Sequence, residues 1–292
     1  MHTVTMLAAP LRADLTDHHV ASLRDRLGGG GVIWLAPGIA AEFPVTDLPP
    51  EMDEIAAAAR HAGFDLVVQP TRDRRKPVLL ADMDSTMIQQ ECIDELAAEA
   101  GVGPRVADIT ERAMNGELNF HEALIERVSL LAGLRESVID KVLDQRITLT
   151  PGGRELIATM RAQGAYCALV SGGFTAFTAR VAEVLGFDEH RANTLLADDG
   201  VLTGHVALPV LGREAKVEAL TQITAERGLT PADAMAVGDG ANDLGMIGLA
   251  GTGVALHAKP IVAAQASVRI DHGDLTALLY IQGYGRDEFI SG

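Results

Sequence analysis

The stretch Val78-Leu79-Leu80-Ala81-Asp82-Met83-Asp84-Ser85-Thr86 decides the fold. Its first four residues are apolar and predict a short buried strand, and two carboxylates follow almost directly. Because side chains alternate along an extended chain, Asp82 and Asp84 can point into the same mouth where the chain leaves the sheet. An Asp-x-Asp pair alone is common in acidic loops. Its place at a strand end is what indicates a catalytic site.

The sequence after Pro151 alternates between helix and strand patterns. Apolar runs predict strands at residues 166–170, 234–237, 252–255 and 267–270. Such alternation predicts an α/β fold: a Rossmann-like parallel sheet with helices on both faces, whose ligands bind beyond the carboxyl ends of the strands. Three separate strands therefore bring polar residues to one edge, namely Asp82 with Asp84, Ser171, and Asp239.

Residues 88–148 have a helical pattern, in which Ile88, Cys92 and Leu96 recur on one face. This segment lies between the first strand and Ser171. We therefore predict a helical cap at about residues 88–148, inserted into a core domain that spans residues 73–292.

The first 72 residues predict a small separate domain. Strand patterns at 3–8, 32–36, 40–45 and 65–69 and helix patterns at 20–27 and 51–61 follow the order βαββαβ. That order is typical of a ferredoxin-like module. Residues 70–77, which include a short basic run, are interpreted as a linker.

Composition narrows the class of protein. Lys and Arg total 24 against 40 for Asp and Glu, a net charge of -16, which argues against a nucleic-acid partner. Cys92 and Cys167 lack metal-ligand spacing, so we expect neither a disulfide framework nor a zinc site. No apolar run reaches membrane-spanning length, and no basic region precedes the first apolar stretch. The sequence thus predicts no membrane partner and a cytoplasmic location.

The carboxylates at the strand ends suit phosphoryl transfer. Ionised Asp82 can attack phosphorus while protonated Asp84 gives its proton to the departing alkoxide. Oxygen ligands from Asp82, Asp239 and a backbone carbonyl near Asp84 would suit octahedral Mg²⁺. Asp243 would lie behind them and hold a metal-bound water or Lys216. The alternative is an ordinary glycine-flanked turn, in which Asp239 or Asn242 caps the next helix.

A phosphate cradle is expected at Ser171-Gly172-Gly173. A hydroxyl and exposed backbone N–H groups at a helix N-terminus bind anions, although an ordinary helix N-cap would look the same. Ser171 is not expected to be a nucleophile, because Leu169 stands where the hydrolase elbow G-x-S-x-G requires glycine.

Taken in order, these segments resemble the haloacid dehalogenase-like phosphatases and, within them, the phosphoserine phosphatase branch. The resemblance covers about residues 77–285. It rests on Asp82-Met83-Asp84-Ser85-Thr86, Ser171-Gly172-Gly173-Phe174, Lys216, and Gly238-Asp239-Gly240-Ala241-Asn242-Asp243. It implies an aspartyl-phosphate on Asp82, a Mg²⁺ cofactor, and substrate binding by Ser171, Gly172, Gly173, Lys216 and Asn242.

Cap residues resemble the phosphoserine branch more narrowly. In that branch Glu91 would meet the substrate ammonium and Arg127 its carboxylate, with Met114 and Phe120 as an apolar wall. Without the resemblance, Met114 and Phe120 would be interpreted as core and the two charges as surface residues. The resemblance thus implies hydrolysis of O-phospho-L-serine to L-serine and phosphate, the last step of serine biosynthesis.

Other functions stay open at this point. Phosphothreonine or phosphohomoserine are alternative substrates, and a non-catalytic amino-acid sensor is a third hypothesis. A dehalogenase or phosphonatase is disfavoured by Asp84, because carbon–halogen cleavage has no alkoxide to protonate. The N-terminal module resembles ACT-like regulatory domains, which leaves open serine binding there and a homodimer.

Overall fold

The computed structural model describes residues 1–291. Within that range the strands are β1 His2–Ala8, β2 Ile33–Ala36, β3 Ala40–Val45, β4 Phe64–Pro70, β5 Val78–Ala81, β6 Tyr166–Phe174, β7 Glu189–Asn193, β8 Leu195–Asp198, β9 Val201–Val206, β10 Ala234–Gly238, β11 Thr252–Leu256 and β12 Val268–Ile270. The α-helices are α1 Asp17–Leu27, α2 Met52–His61, α3 Cys92–Glu99, α4 Gly103–Met114, α5 Phe120–Ser129, α6 Val138–Gln145, α7 Gly153–Ala162, α8 Thr175–Leu185, α9 Arg213–Ala225, α10 Leu244–Leu249, α11 Pro260–Ala263 and α12 Ala277–Tyr280.

The chain forms two compact units. The first comprises residues 1–77, residues 151–165 and the chain from residue 268, and the second comprises residues 78–150 and 166–267. The predicted domain boundary after residue 72 stays a prediction. Among the described helices, none combines the length and apolar character that a membrane crossing requires.

The N-terminal part of the first unit is an antiparallel sheet in the order β2-β3-β1-β4. With α1 and α2 it has the predicted βαββαβ order, so the ferredoxin-like expectation is confirmed. Apolar side chains from the sheet and both helices, including Val4, Val20, Phe43 and Ile55, form its core. Helix α1 ends where Gly28 adopts a left-handed conformation (φ 62°), which glycine tolerates best.

Contacts within this unit also tie β4 to the C-terminal segment. The buried Asp65 carboxylate accepts backbone N–H bonds from Asp271 (2.8 Å), His272 (3.0 Å) and Gly273 (2.7 Å). Arg74, in the segment predicted as a linker, donates to both carboxylate oxygens of Glu42 at 2.6 and 3.0 Å. Part of that basic run therefore forms a specific ion pair.

The second unit is built on parallel strands in the order β11-β10-β5-β6-β7, as the sequence predicted. Strand β5 is central and fully buried. Its last residue, Ala81, pairs with Val237 of β10 and with Leu169 of β6. Because Ala81, Val237 and Leu169 are in register, Asp82, Asp239 and Ser171, which lie one or two residues further along the chain, meet at one edge of the sheet.

Helices α3 to α6 lie between β5 and β6 in the chain, which confirms the inserted helical cap. Helix α3 contacts both α4 and α6, and α4 contacts α5. Strand β7 and the antiparallel hairpin β8–β9, which contacts α5, are elements that the sequence analysis did not predict.

Candidate active site

The turn after β5 sets the position of the first two carboxylates. Asp82 is still extended (φ -72°, ψ 162°), and the chain then turns sharply over Met83–Met87, with Ser85 in a left-handed conformation (φ 54°). The Met83 N–H donates to Asp82 Oδ1 at 2.8 Å. Both Asp82 and Asp84 are buried and reach the same cavity, as the alternation along β5 predicted.

Lys216 lies behind Asp82, on helix α9, with no exposed surface. Its Nζ is 2.7 Å from Asp82 Oδ1 and 2.6 Å from Asp243 Oδ1. Burial alone would lower the pKa of Lys216, but the two carboxylates outweigh that effect and raise it. The lysine therefore stays cationic and occupies one oxygen of each carboxylate.

Asp239 and Asp243 enter from the turn after β10. The Oδ2 atom of Asp243 accepts the N–H groups of Asp239 (3.2 Å) and Gly240 (3.1 Å), so both oxygens of Asp243 are engaged. Burial raises the pKa of Asp239 to about 7, and the nearby Asp243 adds to that effect. Burial, followed by the Asp243 charge, raises the pKa of Asp82 well above its usual range.

The cluster is short of positive charge, which suits a divalent cation. Oxygens of Asp82, Asp239 and Asp243 lie within 4.8 Å of one another. Lys216 contacts Asp82 and Asp243, and the charges of Lys216 and Lys259 act on Asp239. The second oxygen of Asp82 has no partner among residues 1–291, and the buried Asn242 Oδ1 has none there either. Because hard cations prefer carboxylate and carbonyl oxygens, the donor set fits such an ion.

Asp84 is held differently from Asp82. The Cys92 N–H at the start of α3 donates to its Oδ1 at 2.9 Å, and Ser171 Oγ lies 3.3 Å from its Oδ2. Burial raises the pKa of Asp84, while the hydrogen bonds from Cys92 oppose the rise. A carboxyl group with a raised pKa can hold a proton near neutral pH, which a general acid requires.

The Ser171-Gly172-Gly173 segment differs from expectation in one respect. It continues strand β6 as far as Phe174, and helix α8 begins only at Thr175, so Ser171 is not at a helix N-terminus. A Cβ at Gly173 would lie 2.5 Å from Asp84 Oδ2, and one at Gly172 would lie 2.6 Å from the Phe120 ring. Glycine at these positions allows the Asp84 carboxyl and the Phe120 ring of the cap to approach the strand.

One cavity collects the predicted residues. It is lined by Asp82, Asp84, Glu91, Met114, Phe120, Arg127, Ser171, Gly172, Gly173, Asp239 and Asn242. Lys216 and Asp243 are the predicted residues behind it. The structure thus brings all of the predicted site residues into one region, and their individual roles stay predictions.

Glu91 and Arg127 place opposite charges in the cap side of this cavity. Ser85 Oγ donates to Glu91 Oε1 at 2.7 Å. Burial, followed by the charges of Asp84 and Asp239, raises the pKa of Glu91 well above its usual range. Arg127 is buried, and burial lowers its pKa against the opposing effect of Glu91 and Asp94. To be ionised in so enclosed a place, Glu91 needs a cation beside it, and the buried Arg127 needs an anion.

Sequence reasoning missed several supporting residues. Thr86 Oγ1 lies 3.4 Å from Asp239 Oδ1, and Thr110 and Asp94 contact each other beside Arg127. Thr86 stands inside the quoted Asp82 motif, so its position was a usable signal. Thr110 and Asp94 have the pattern of ordinary helix residues and gave none.

Comparison with known proteins agrees with this geometry. The profile of the haloacid dehalogenase-like hydrolases matches residues 79–248. A phosphoserine phosphatase of Streptomyces coelicolor is 40% identical over 98% of this chain and 71% of its own length. One from Streptococcus thermophilus is 47% identical over 70% of this chain and 95% of its own.

A solved structure gives the same result. It is described as a phospho-aspartyl intermediate analogue of phosphoserine phosphatase, and it is similar to this chain with a TM-score of 0.68 and 43% identity. The similarity covers 70% of this chain and 98% of that one. The chain therefore belongs to the haloacid dehalogenase-like hydrolase family.

Proposed function

We propose that this protein is a phosphoserine phosphatase, which hydrolyses O-phospho-L-serine to L-serine and phosphate. The observation that carries the proposal is the cavity itself. It brings the carboxyl groups of Asp82 and Asp84 at the sheet edge together with Glu91 and Arg127, an acidic and a basic residue, on the cap side. Phosphate chemistry requires the first pair, and an amino-acid zwitterion matches the second.

Asp82 is the nucleophile. Its Oδ1 is held by Lys216 and the Met83 N–H, which orients the carboxylate so that one of its oxygens attacks phosphorus. The P–O bond to the seryl oxygen breaks as the bond from Asp82 to phosphorus forms. Lys216, which touches Asp82, lowers the cost of the negative charge that gathers around the transferring group.

Asp84 moves the proton. In the first step its carboxyl gives a proton to the leaving seryl oxygen, and serine departs as the neutral alcohol. The resulting carboxylate then takes a proton from water, whose oxygen attacks phosphorus and releases phosphate from Asp82. Cys92 N–H and Ser171 Oγ hold this carboxyl in place through both steps.

Mg²⁺ is the cation that the oxygen donors would suit, held by Asp82, Asp239 and a backbone carbonyl near Asp84. When bound, it neutralises charge on the phosphate oxygens. Asp243 is not assigned as a ligand, because Lys216 and two backbone N–H groups already occupy its oxygens.

Substrate identity is tested by comparing two phosphate esters. Glu91→Gln and Arg127→Ala should each lower kcat/KM for phosphoserine by roughly a hundredfold, the scale of a truncated buried charge pair. Turnover of an aryl phosphate, which has neither charged group, should change far less. Arg105→Ala is the matched control, because Arg105 is an exposed cap arginine paired with Glu126.

A panel of phosphoserine, phosphothreonine and phosphohomoserine, each with and without Mg²⁺, completes the test. If Glu91→Gln and Arg127→Ala lower kcat/KM equally for phosphoserine and for the aryl phosphate, these residues act in chemistry or folding. If kcat/KM changes for neither ester, the cap does not recognise the amino-acid part of the substrate and the proposal is wrong.

Further expectations from the sequence stay predictions. They are a regulatory, ACT-like role for residues 1–72, serine binding by that domain, a homodimer and a cytoplasmic location.

A further inference from the structure

Arg127 is anchored from two sides in the cap. Its side chain, 2% exposed, donates from Nε to the Ala123 carbonyl at 3.1 Å and from Nη1 to Thr110 Oγ1 at 2.9 Å. The first partner lies one turn earlier on α5, and the second lies on α4. A flexible arginine side chain is thereby held in one orientation.

The Thr110 hydroxyl is itself directed. Its oxygen lies 2.6 Å from Asp94 Oδ1 and 3.0 Å from the Val106 carbonyl. A hydroxyl has a single hydrogen, and a carboxylate is the stronger and closer acceptor. The hydrogen therefore goes to Asp94, and an oxygen lone pair is turned toward Arg127. The chain of donors runs from α5 through α4 to α3.

This arrangement leaves the guanidinium free to bind. A direct Arg127–Asp94 ion pair would use the planar fork that recognises carboxylates. With Thr110 between them, Asp94 contributes its charge while the Nη2 hydrogens and the second Nη1 hydrogen have no partner among the described residues. Those hydrogens are the ones that a bidentate carboxylate needs.

We propose that Thr110 and Asp94 are positioning residues that fix Arg127 and so set the selectivity of this site for phosphate esters that carry a carboxylate. The inference rests on the proposed function. Neither residue lines the cavity, so neither touches substrate. Their effect should appear in substrate selectivity and leave the phosphoryl-transfer step unchanged.

Thr110→Val is the central variant, because it removes the hydroxyl and keeps the branched shape. It should raise KM for phosphoserine about 10- to 100-fold, the scale for losing a hydrogen bond to a charged group. Thr110→Ser, which keeps the hydroxyl, should avoid most of the KM increase expected for Thr110→Val. Asp94→Asn should act in the same direction with a smaller effect, since its amide oxygen still accepts the hydrogen bond. Turnover of p-nitrophenyl phosphate should change less than about threefold in all three variants.

Thr221→Val is the matched control. Thr221 on α9 is exposed and donates to the Val217 carbonyl one turn earlier at 2.8 Å, the same local bond that Thr110 can make to Val106. Within residues 1–291 it has no arginine partner. This control should change neither KM for phosphoserine nor the turnover of p-nitrophenyl phosphate.

A double-mutant comparison separates positioning from folding. In an Arg127→Ala background, Thr110→Val should add no further loss for phosphoserine, because the group that it positions is absent. Fully additive losses, or equal losses for both esters, would overturn the inference. If Thr110→Val does not fold, Thr110→Ser and Asp94→Asn are measured in the same background. Wild-type enzyme that fails on phosphoserine would overturn the proposed function and this inference together. If the wild-type enzyme hydrolyses phosphoserine and Thr110→Val has an unchanged KM for it, the inference alone would be overturned.

Discussion

Replacing Lys216 by Met should destabilise the metal-free protein strongly. Lys216 has no exposed surface and lies 2.6–2.7 Å from Asp243 and Asp82. Methionine keeps most of the side-chain volume but leaves the buried carboxylates without their cation. Removing one partner of a buried ion pair costs on the order of 3–5 kcal/mol. We therefore expect a loss of that size in the free energy of unfolding.

The pH dependence of this loss has a definite sign. Burial already raises the pKa values of Asp82 and Asp239, and losing the lysine should raise them further. As pH falls, these carboxylates take up protons in the folded state and their repulsion is relieved. The destabilisation should therefore be larger at pH 8 than at pH 5.5.

Lys141→Met is the matched control for Lys216→Met. Lys141 Nζ lies 2.7 Å from Glu99, as close as Lys216 to Asp82, but the lysine side chain is 48% exposed. An exposed pair should contribute at most about 1 kcal/mol. The assay is urea unfolding followed by circular dichroism in excess chelator. If both variants lose the same stability, burial does not decide the strength of the Lys216 pair and the reasoning is refuted.

Two further predictions follow from the site. Gly173→Ala should lower kcat about a hundredfold or more, because its Cβ would lie 2.5 Å from Asp84 Oδ2 and small displacements of a catalytic group are costly. The control Gly248→Ala, whose Cβ would have nothing within 4 Å, should keep its activity. A fully active Gly173→Ala enzyme would contradict the close approach. Without metal, Tm should fall as pH rises from about 4 to 7, because folded Asp239, with a pKa of about 7 against an ordinary 3.8, retains a proton there that the unfolded chain releases. Mg²⁺ should then raise Tm more at pH 8 than at pH 5, and Asp239→Asn should reduce that difference. An equal rise in Tm at both pH values in the wild type would count against a cation site at Asp239.

The sequence was most informative where burial was complete. The four apolar residues of β5 are surrounded on both faces, so a short run of aliphatic residues was enough to predict its bounds. The register of its neighbours then brought Asp82, Ser171 and Asp239 to one edge, as the parallel-sheet rule requires.

Elements fixed by long-range contacts were harder to predict. Strand β7 is Glu-His-Arg-Ala-Asn and has no apolar pattern, because it forms an edge of the parallel sheet. Ser171-Gly172-Gly173 continues β6 because Phe174 pairs with Asn193, whose side chain also donates to the Gly172 carbonyl at 2.8 Å. A local propensity for a helix start at Ser171 could not reveal that pairing.

Supporting polar residues were the least predictable part of the site. Thr110 lies within an ordinary amphipathic helix, and its importance depends on Arg127 and Asp94, which come from two other helices. Spacing along the chain carries no information about such a three-helix contact.

The central claim is that phosphoserine transfers its phosphoryl group to Asp82. The direct measurement mixes the enzyme and Mg²⁺ with phosphoserine labelled in the phosphoryl group, quenches in acid within milliseconds, and maps the label by peptide mass spectrometry. We predict label on the peptide that contains Asp82, at Asp82 itself, and none in the Asp82→Asn variant. Label at another residue, or full turnover by Asp82→Asn, would contradict the account.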